Sequence, residues 1–320
     1  MDEFEIIQRF WKPLGQEGAP GIVRGIGDDC AELMVPVGQN LIQSIDTLVS
    51  GVHFLPDICP ADLGWRALAV SASDLAAAGA QPWSASLAIT LPKPVRSEWL
   101  EAFSGGLGEA CRAFRLPLIG GDSTAGPLTL TLHVQGLCPP GQTLIRAGAS
   151  PGDLICVSGY LGDAGEALRW LQDQSDAPSI LAVRSRYLRP TPRLELGMAL
   201  RQRASACIDL SDGLLSDLGH ILTASNAGAS LDLGAIPISA ALRELAPERA
   251  LELALTAGDD YELCFTWPAN RGDPTRFAAT GVPISVIGEI EPVAGIRFRN
   301  SPAGWTLPAV SGYRHFSEIG

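Results

Sequence analysis

Residues 40–91, NLIQSIDTLVSGVHFLPDICPADLGWRALAVSASDLAAAGAQPWSASLAITL, change hydrophobic period twice, and that change decides the fold class. Asn40 to Asp46 reads as a strand, Asp62 to Ala80 as an alanine-rich helix and Trp83 to Leu91 as a second strand. Working outward, Ser97 to Arg115 reads as a helix capped by Ser97, and Leu116 to Ile119 and Pro127 to Cys138 as further strands. Composition then breaks at Pro139-Pro140-Gly141 and at Gly148-Ala149-Ser150-Pro151-Gly152. Beyond the break, strands are expected at Asp153 to Ser158 and Ser205 to Leu210. Helices are expected around Asp163 to Gln172, Ser179 to Tyr187, Arg193 to Arg203, Gly213 to Ala227 and Ser239 to Ala246. The mixture predicts an α/β (α+β) architecture in two domains, 1–138 and 153–320, joined by 139–152, with no internal repeat.

Composition narrows the function classes. The net charge of −12 repels nucleic acid and anionic membranes, which need a basic surface. No run of about 18 apolar residues is present to span a bilayer, and the acidic start Met1-Asp2-Glu3-Phe4-Glu5 points to the cytoplasm rather than to a secretory signal. The seven cysteines are dispersed, Cys138 and Cys156 being the closest in sequence, so they read as reduced core thiols rather than as zinc ligands or disulfides. Lys12 and Lys93 are the only lysines, and each precedes a proline, which excludes GxxxxGK[ST] and a strand lysine of the protein-kinase type. The four histidines have no HExxH spacing.

The chemistry is concentrated in aspartates that close apolar segments: LIQSID at Asp46, LPLIGGD at Asp122, and SACIDLSDG with Asp209 and Asp212. Ligands of open α/β sheets gather beyond strand ends, where these segments are expected to meet. Asp28 and Asp29 in GIGDDC and Asp74 in SASDLAAAGA add carboxylates among small neighbours. One such aspartate alone is usually a turn former or an N-cap, but turn chemistry does not ask for so many. Period two puts Ser44 with Asp46 on one strand face and Asp209 with Ser211 on another. Hard oxygen donors of this kind select magnesium or manganese, which bridge to phosphate. Gly25-Ile26-Gly27 is only a GxG, which on its own means a turn more often than a phosphate cradle. Gly120-Gly121 likewise reads as a turn, though it would also let a nucleotide approach the backbone, and His53 sits in a long connecting loop.

GIGDDCA, SIDTLVSGVHF, ALAVSASDLAAAGA, LIGGDST, IDLSDGLLSDLGHI and GDDYELCF follow one another in an order and spacing that resembles the thiamine-monophosphate kinase family, within the aminoimidazole-ribonucleotide-synthetase superfamily. The resemblance runs from about residue 20 to residue 316. It implies transfer of the ATP γ-phosphoryl group to thiamine monophosphate. It also implies several magnesium ions held by Asp29, Ser44, Asp46, Asp74, Asp122, Asp209 and Asp212, with the carbonyl of Ile45. ATP would meet Gly121, Asp122, Arg146 and Ser211, and the thiamine moiety would meet His53, Asp259 and Tyr313. Asp46, Asp122 and Arg146 would carry catalysis. The resemblance further implies an N-terminal domain whose sheet pairs with its twin in a homodimer, beside a C-terminal α+β domain. The chain departs from the family pattern at Ile45, where a hydroxyl is common, and at Asp259, where glutamate is common. A selenophosphate-synthetase-like rival would need a cysteine or selenocysteine near the N-terminus, and the first 29 residues contain no cysteine. A non-catalytic nucleotide or metal sensor is the alternative from a different class.

Overall fold

The structure is a computed structural model and describes residues 2–15, 19–276, 281–308 and 312–313. The chain divides into two compact units, Met1–Leu75 with Ala80–Thr143, and Ala76–Gly79 with Leu144–Gly320. Among the described residues no helix is long and apolar enough to cross a membrane.

In the first unit, helix α1 (Glu3–Ile6) opens behind a reciprocal capping box between Asp2 and Glu5. Short strands β1 (Ile22–Arg24) and β2 (Glu32–Leu33) pair with each other. Strand β3 (Asn40–Val49) leads to helix α2 (Pro60–Ala77), β4 (Gln81–Leu91), helix α3 (Ser97–Phe114), β5 (Leu118–Ala125) and β6 (Thr129–Cys138). The sheet order is β3-β6-β4-β5, antiparallel except where α3 carries the chain across from β4 to its parallel neighbour β5.

Helix α3 turns one apolar stripe inward, Leu100, Phe103, Leu107, Cys111 and Phe114, at the spacing of one helix face. Burial pushes the Cys111 thiol up to about 12. The helices lie backbone to backbone: a Cβ on Gly106 would stand 1.8 Å from the Ala61 carbonyl oxygen, and one on Gly64 would stand 2.2 Å from that of Phe103. Ser97 is the first helical residue and not the cap. Arg96 takes the cap position without a side-chain hydrogen bond.

In the second unit the order is β7 (Leu154–Ser158), α4 (Asp163–Ala167), α5 (Pro178–Leu188), α6 (Leu194–Leu200), β8 (Ala206–Asp209), α7 (Leu214–Ser225), β9 (Gly228–Asp232), α8 (Ala240–Leu245), α9 (Ala250–Thr256), β10 (Leu263–Trp267), β11 (Ile284–Glu291) and β12 (Gly295–Arg299). The sheet runs β12-β9-β11-β7-β10-β8, antiparallel apart from the β12–β9 pair. Ile155, Val157, Ile208, Leu218, Ile221, Leu231 and Ile287 form its core. Every residue of β10 and β8 is buried, and their sequences are accordingly apolar runs rather than alternations. Cys156, Cys207 and Cys264 lie in β7, β8 and β10 as buried thiols; Cys30 and Cys59 are exposed, so the reading of the cysteines as core residues fails at those two.

Candidate active site

Two expectations about strand ends are corrected here. β3 continues past Asp46 to Val49, and β5 runs through Gly120, Gly121 and Asp122 to Ala125. Asp46 and Asp122 are therefore strand-interior residues, and only Asp209 closes its strand. Aspartate and a glycine pair read locally as breakers, but Gly121 fits where a side chain would not. It has φ 149°, and a Cβ there would stand 1.7 Å from the Leu87 carbonyl oxygen. Gly121 is thus explained by the close approach of β4, while Gly120 faces open space.

The first carboxylate group forms where β3 meets α2. Ser44 and Asp46 lie on one face of β3, and the Ser44 hydroxyl donates to Oδ2 of Asp74 on α2. Burial, and then the charge of Asp74, push the Asp46 carboxyl up to about 6. No arginine or lysine among the described residues forms an ion pair with either aspartate. Ile45 points to the opposite, exposed face of the same strand.

Asp122 lies elsewhere. Pairing across the sheet runs Thr47–Thr131–Ala88–Asp122, and Asp46–Leu132–Leu87–Gly121 in the next row. The Thr47 and Thr131 hydroxyls meet at 2.9 Å on the outer face, whereas Ser123, next to Asp122, accepts from buried Trp11 on the helix side. Asp122 and Asp46 thus occupy opposite faces and opposite edges of one sheet, three strand spacings or about 14 Å apart. In the GIGDDC turn the two aspartates divide their roles. Asp28 pairs with Arg24 and accepts from the Asp29 amide at 2.9 Å, which holds its carboxyl below the usual range, and Asp29 is exposed. His53 is half-buried, its Nδ1 accepting the Val49 amide at 3.0 Å, so the ring proton sits on Nε2.

In the second unit one short segment collects most of the expected residues. Ser211 and Asp212 follow Asp209 at the end of β8. The Asp259 amide donates to the Ser211 carbonyl at 2.9 Å, and the Tyr313 amide donates to the Asp212 carbonyl at 3.0 Å. Gly258 permits this approach, since a Cβ there would be 2.4 Å from the Ser211 oxygen. Asp217 accepts the amides of Asp212 and Gly213 at 3.0 and 3.2 Å, closing the turn into α7, and burial pushes its own carboxyl up to about 7. Arg146 is exposed, its carbonyl accepting from Ser225 while the neighbouring Ile145 carbonyl accepts the Cys207 amide.

Sequence reasoning missed the support beneath this segment. Asp217 sits inside the quoted IDLSDGLLSDLGHI, and Asp260 and Glu262 sit inside GDDYELCF. The signal was present, but burial separates their role from that of Asp212 and Asp259. Among the described residues no three His, Cys, Asp or Glu side chains stand close enough to hold a metal unaided. Magnesium is ordinarily held by one or two carboxylates together with water and substrate phosphates. Asp46 and Asp74, hard donors without a counter-charge, fit that demand.

Both halves of the chain match known proteins. Residues 27–138 match the model of the AIR synthase related protein, N-terminal domain, and residues 150–299 match that of the C-terminal domain. A thiamine-monophosphate kinase of Escherichia coli (strain K12) is 47% identical over 322 residues, covering 98% of each chain. A crystal structure of thiamine-monophosphate kinase from Stenotrophomonas maltophilia K279a superposes with a TM-score of 0.86 at 43% identity, covering 93% of this chain and 96% of that one. A structure of AaThiL complexed with AMPPCP and TMP gives a TM-score of 0.79 at 28% identity, covering 98% and 97%. The chain belongs to the thiamine-monophosphate kinase family of AIR synthase related proteins.

Proposed function

We propose that this chain moves the terminal phosphoryl group of ATP onto the phosphate of thiamine monophosphate, giving thiamine diphosphate and ADP, by direct in-line transfer at a magnesium-dependent site. The observation that carries the reading is the Asp46–Asp74 pair, two adjacent carboxylates in a partly buried place with no ion-paired arginine or lysine among the described residues. Magnesium, when bound, supplies the positive charge that lets two phosphate anions approach. We assign its protein ligands to Asp29, Ser44, the carbonyl of Ile45, Asp46, Asp74, Asp122, Asp209 and Asp212. ATP is assigned to Gly121, Asp122, Arg146 and Ser211. The thiamine moiety is assigned to His53, Asp259 and Tyr313.

The acceptor phosphate is ionised at neutral pH, so no side chain has to remove a proton, and the chain's task is positioning and charge neutralisation. This suits a segment such as 209–212, which offers carboxylates and a hydroxyl. The guanidinium of Arg146 adds charge at the transferring group. A cytoplasmic address fits the seven cysteines, all free thiols.

The expected homodimer, paired through the four-stranded sheet, also gives the separation of Asp46 from Asp122 a meaning: each site would take one of them from each copy. The apolar residues of β4 and β6 do not supply that interface. Leu87, Ile89, Leu130 and Leu132 are buried within the unit, and the outer face carries Thr131, His133 and Gln135. Mixing Asp46→Asn with Asp122→Asn chains should then restore activity, to about a quarter of the wild-type level for random exchange; mixtures no more active than their parents would refute shared sites.

The activity is tested by coupled ADP release with thiamine monophosphate, free thiamine and aminoimidazole precursors at saturating ATP and magnesium. Turnover is expected with the monophosphate. A comparable kcat/KM for free thiamine, whose hydroxyl needs a base, would overturn both substrate and mechanism.

A further inference from the structure

Residues 258–262, Gly-Asp-Asp-Tyr-Glu, divide sharply by environment. Asp260 and Glu262 are buried at 2% and 0% exposure, while Asp259 stays half-exposed. Asp260 accepts the Gly162 amide with both oxygens, at 3.0 and 2.9 Å. Glu262 is gripped by Arg193 Nε at 2.6 Å and by Arg186 Nη2 at 2.7 Å, and also accepts from Ser158. Arg186 reaches the Asp260 carbonyl as well, at 3.1 Å. Two residues of the segment are left-handed, Asp259 at φ 68° and Tyr261 at φ 48°. Aspartate tolerates that region, but a bulky tyrosine does so only where its surroundings over-determine it.

The surroundings here do so. The Tyr261 amide donates to the Leu210 carbonyl at 2.8 Å and the Leu210 amide to the Glu262 carbonyl at 2.8 Å, so the segment is stitched to the strand end that carries Ser211 and Asp212. The product of this conformation is one side-chain contact: the Tyr261 hydroxyl, on a ring only 6% exposed, donates to Oδ1 of Asp259 at 2.8 Å.

We propose that Tyr261 is a positioning residue that fixes the orientation of the Asp259 carboxylate toward the cationic ring of the thiamine moiety. This rests on the assignment of Asp259 to that moiety. A carboxylate on the single methylene of an aspartate has little reach to search for its partner, so its orientation must be set before the ligand arrives. The strained backbone is explained as the means of bringing a buried phenol under a half-exposed carboxylate two residues away. Asp260, Glu262, Arg186 and Arg193 are the anchors that hold the strain.

The experiment compares wild type, Tyr261→Phe, Asp259→Asn and the double variant, measuring kcat, the KM for each substrate and the thermal midpoint. Tyr261→Phe should raise the KM for thiamine monophosphate about tenfold, the scale of one lost hydrogen bond to a charged group. KM for ATP and kcat should stay within about twofold and the midpoint within about 2 °C. On the Asp259→Asn background the same substitution should change KM by less than about twofold, because nothing remains to orient. Independent, multiplicative effects would overturn the proposal. So would a uniform fall in kcat with a lowered midpoint, which would make Tyr261 a folding residue. An effect at Asp259 with none at Tyr261 would refute the positioning role alone, whereas no effect at Asp259 in an enzyme that phosphorylates thiamine monophosphate would refute its assignment to the substrate as well.

Discussion

Both units gather carboxylates away from open solvent, and Glu262 in the second is treated oppositely to Asp46 and Asp74 in the first. In the second unit Glu262 is enclosed with two arginines of its own chain, Arg186 and Arg193, both mostly buried. In the first, Asp46 and Asp74 face each other without such a partner among the described residues, and burial, then the charge of Asp74, raises Asp46 to about 6. A carboxylate supplied with an internal cation is committed to the fold. One left beside another carboxylate is unfavourable until a cation from outside arrives, and perturbation of this kind is what functional sites carry. The identity of the residue, aspartate or glutamate in a small-residue setting, does not distinguish the two cases; the neighbour does.

The largest effect expected from this difference is at Glu262. Glu262→Ala would leave Arg186 and Arg193 partly buried around an empty place, and removing one member of a buried ion pair costs about 3–5 kcal/mol. Urea unfolding at neutral pH measures it. A loss below about 1 kcal/mol would mean that the pair is solvated and that the contrast between the two units is false.

At Asp46 the expectation is reversed. Asp46→Asn should lower kcat/KM at least about a hundredfold, equivalent to about 2.7 kcal/mol of transition-state stabilisation. The fold should be as stable as the wild type or more so, since the substitution removes a carboxylate that burial and Asp74 already disfavour. Asp74→Asn should behave the same way. Near-normal turnover in either variant at ordinary magnesium would remove the first carboxylate group from the site, and a large fall in melting temperature would place it with Glu262.

How much of this was legible in the sequence follows from the same distinction. The strand–helix–strand order around residues 40–91 was readable because α2 and β4 keep their periods over many residues. The faces of β3 were readable too, since alternation alone separates Ser44 and Asp46 from Ile45. The extent of β5 was not, because whether Gly121 ends a strand depends on the backbone of Leu87 pressing against it, a contact between distant segments. The roles within GDDYE were hidden for the same reason. Asp259 and Asp260 are chemically identical neighbours, and only the fold makes one half-exposed beside Tyr261 and the other a buried acceptor for Gly162.

The smallest effect belongs to Asp260, and it separates burial from function most cleanly. Burial pushes the Asp260 carboxyl well above its ordinary range, with Arg186 opposing and Glu262 and Asp163 adding to the rise. The native state therefore keeps a proton that the unfolded chain releases above about pH 4. The contribution is fully present below that pH and is lost as pH rises through the folded value, because the native state binds more protons over the interval. Asparagine imitates the protonated form, and its carbonyl can still accept the Gly162 amide. Asp260→Asn should accordingly match the wild type in melting temperature near pH 4 and gain on it as pH climbs, with catalysis retained. Asp46→Asn, followed in the presence of chelator, should show the same sign between about pH 4 and pH 6, since Asp46 is also raised, yet lose catalysis. A flat or inverted difference for Asp260→Asn would show that the acid is ionised in the fold. Retained catalysis at Asp46 together with lost catalysis at Asp260 would exchange the roles of the two carboxylate groups, because a raised carboxyl is common to both and only the missing internal cation marks the first for a ligand.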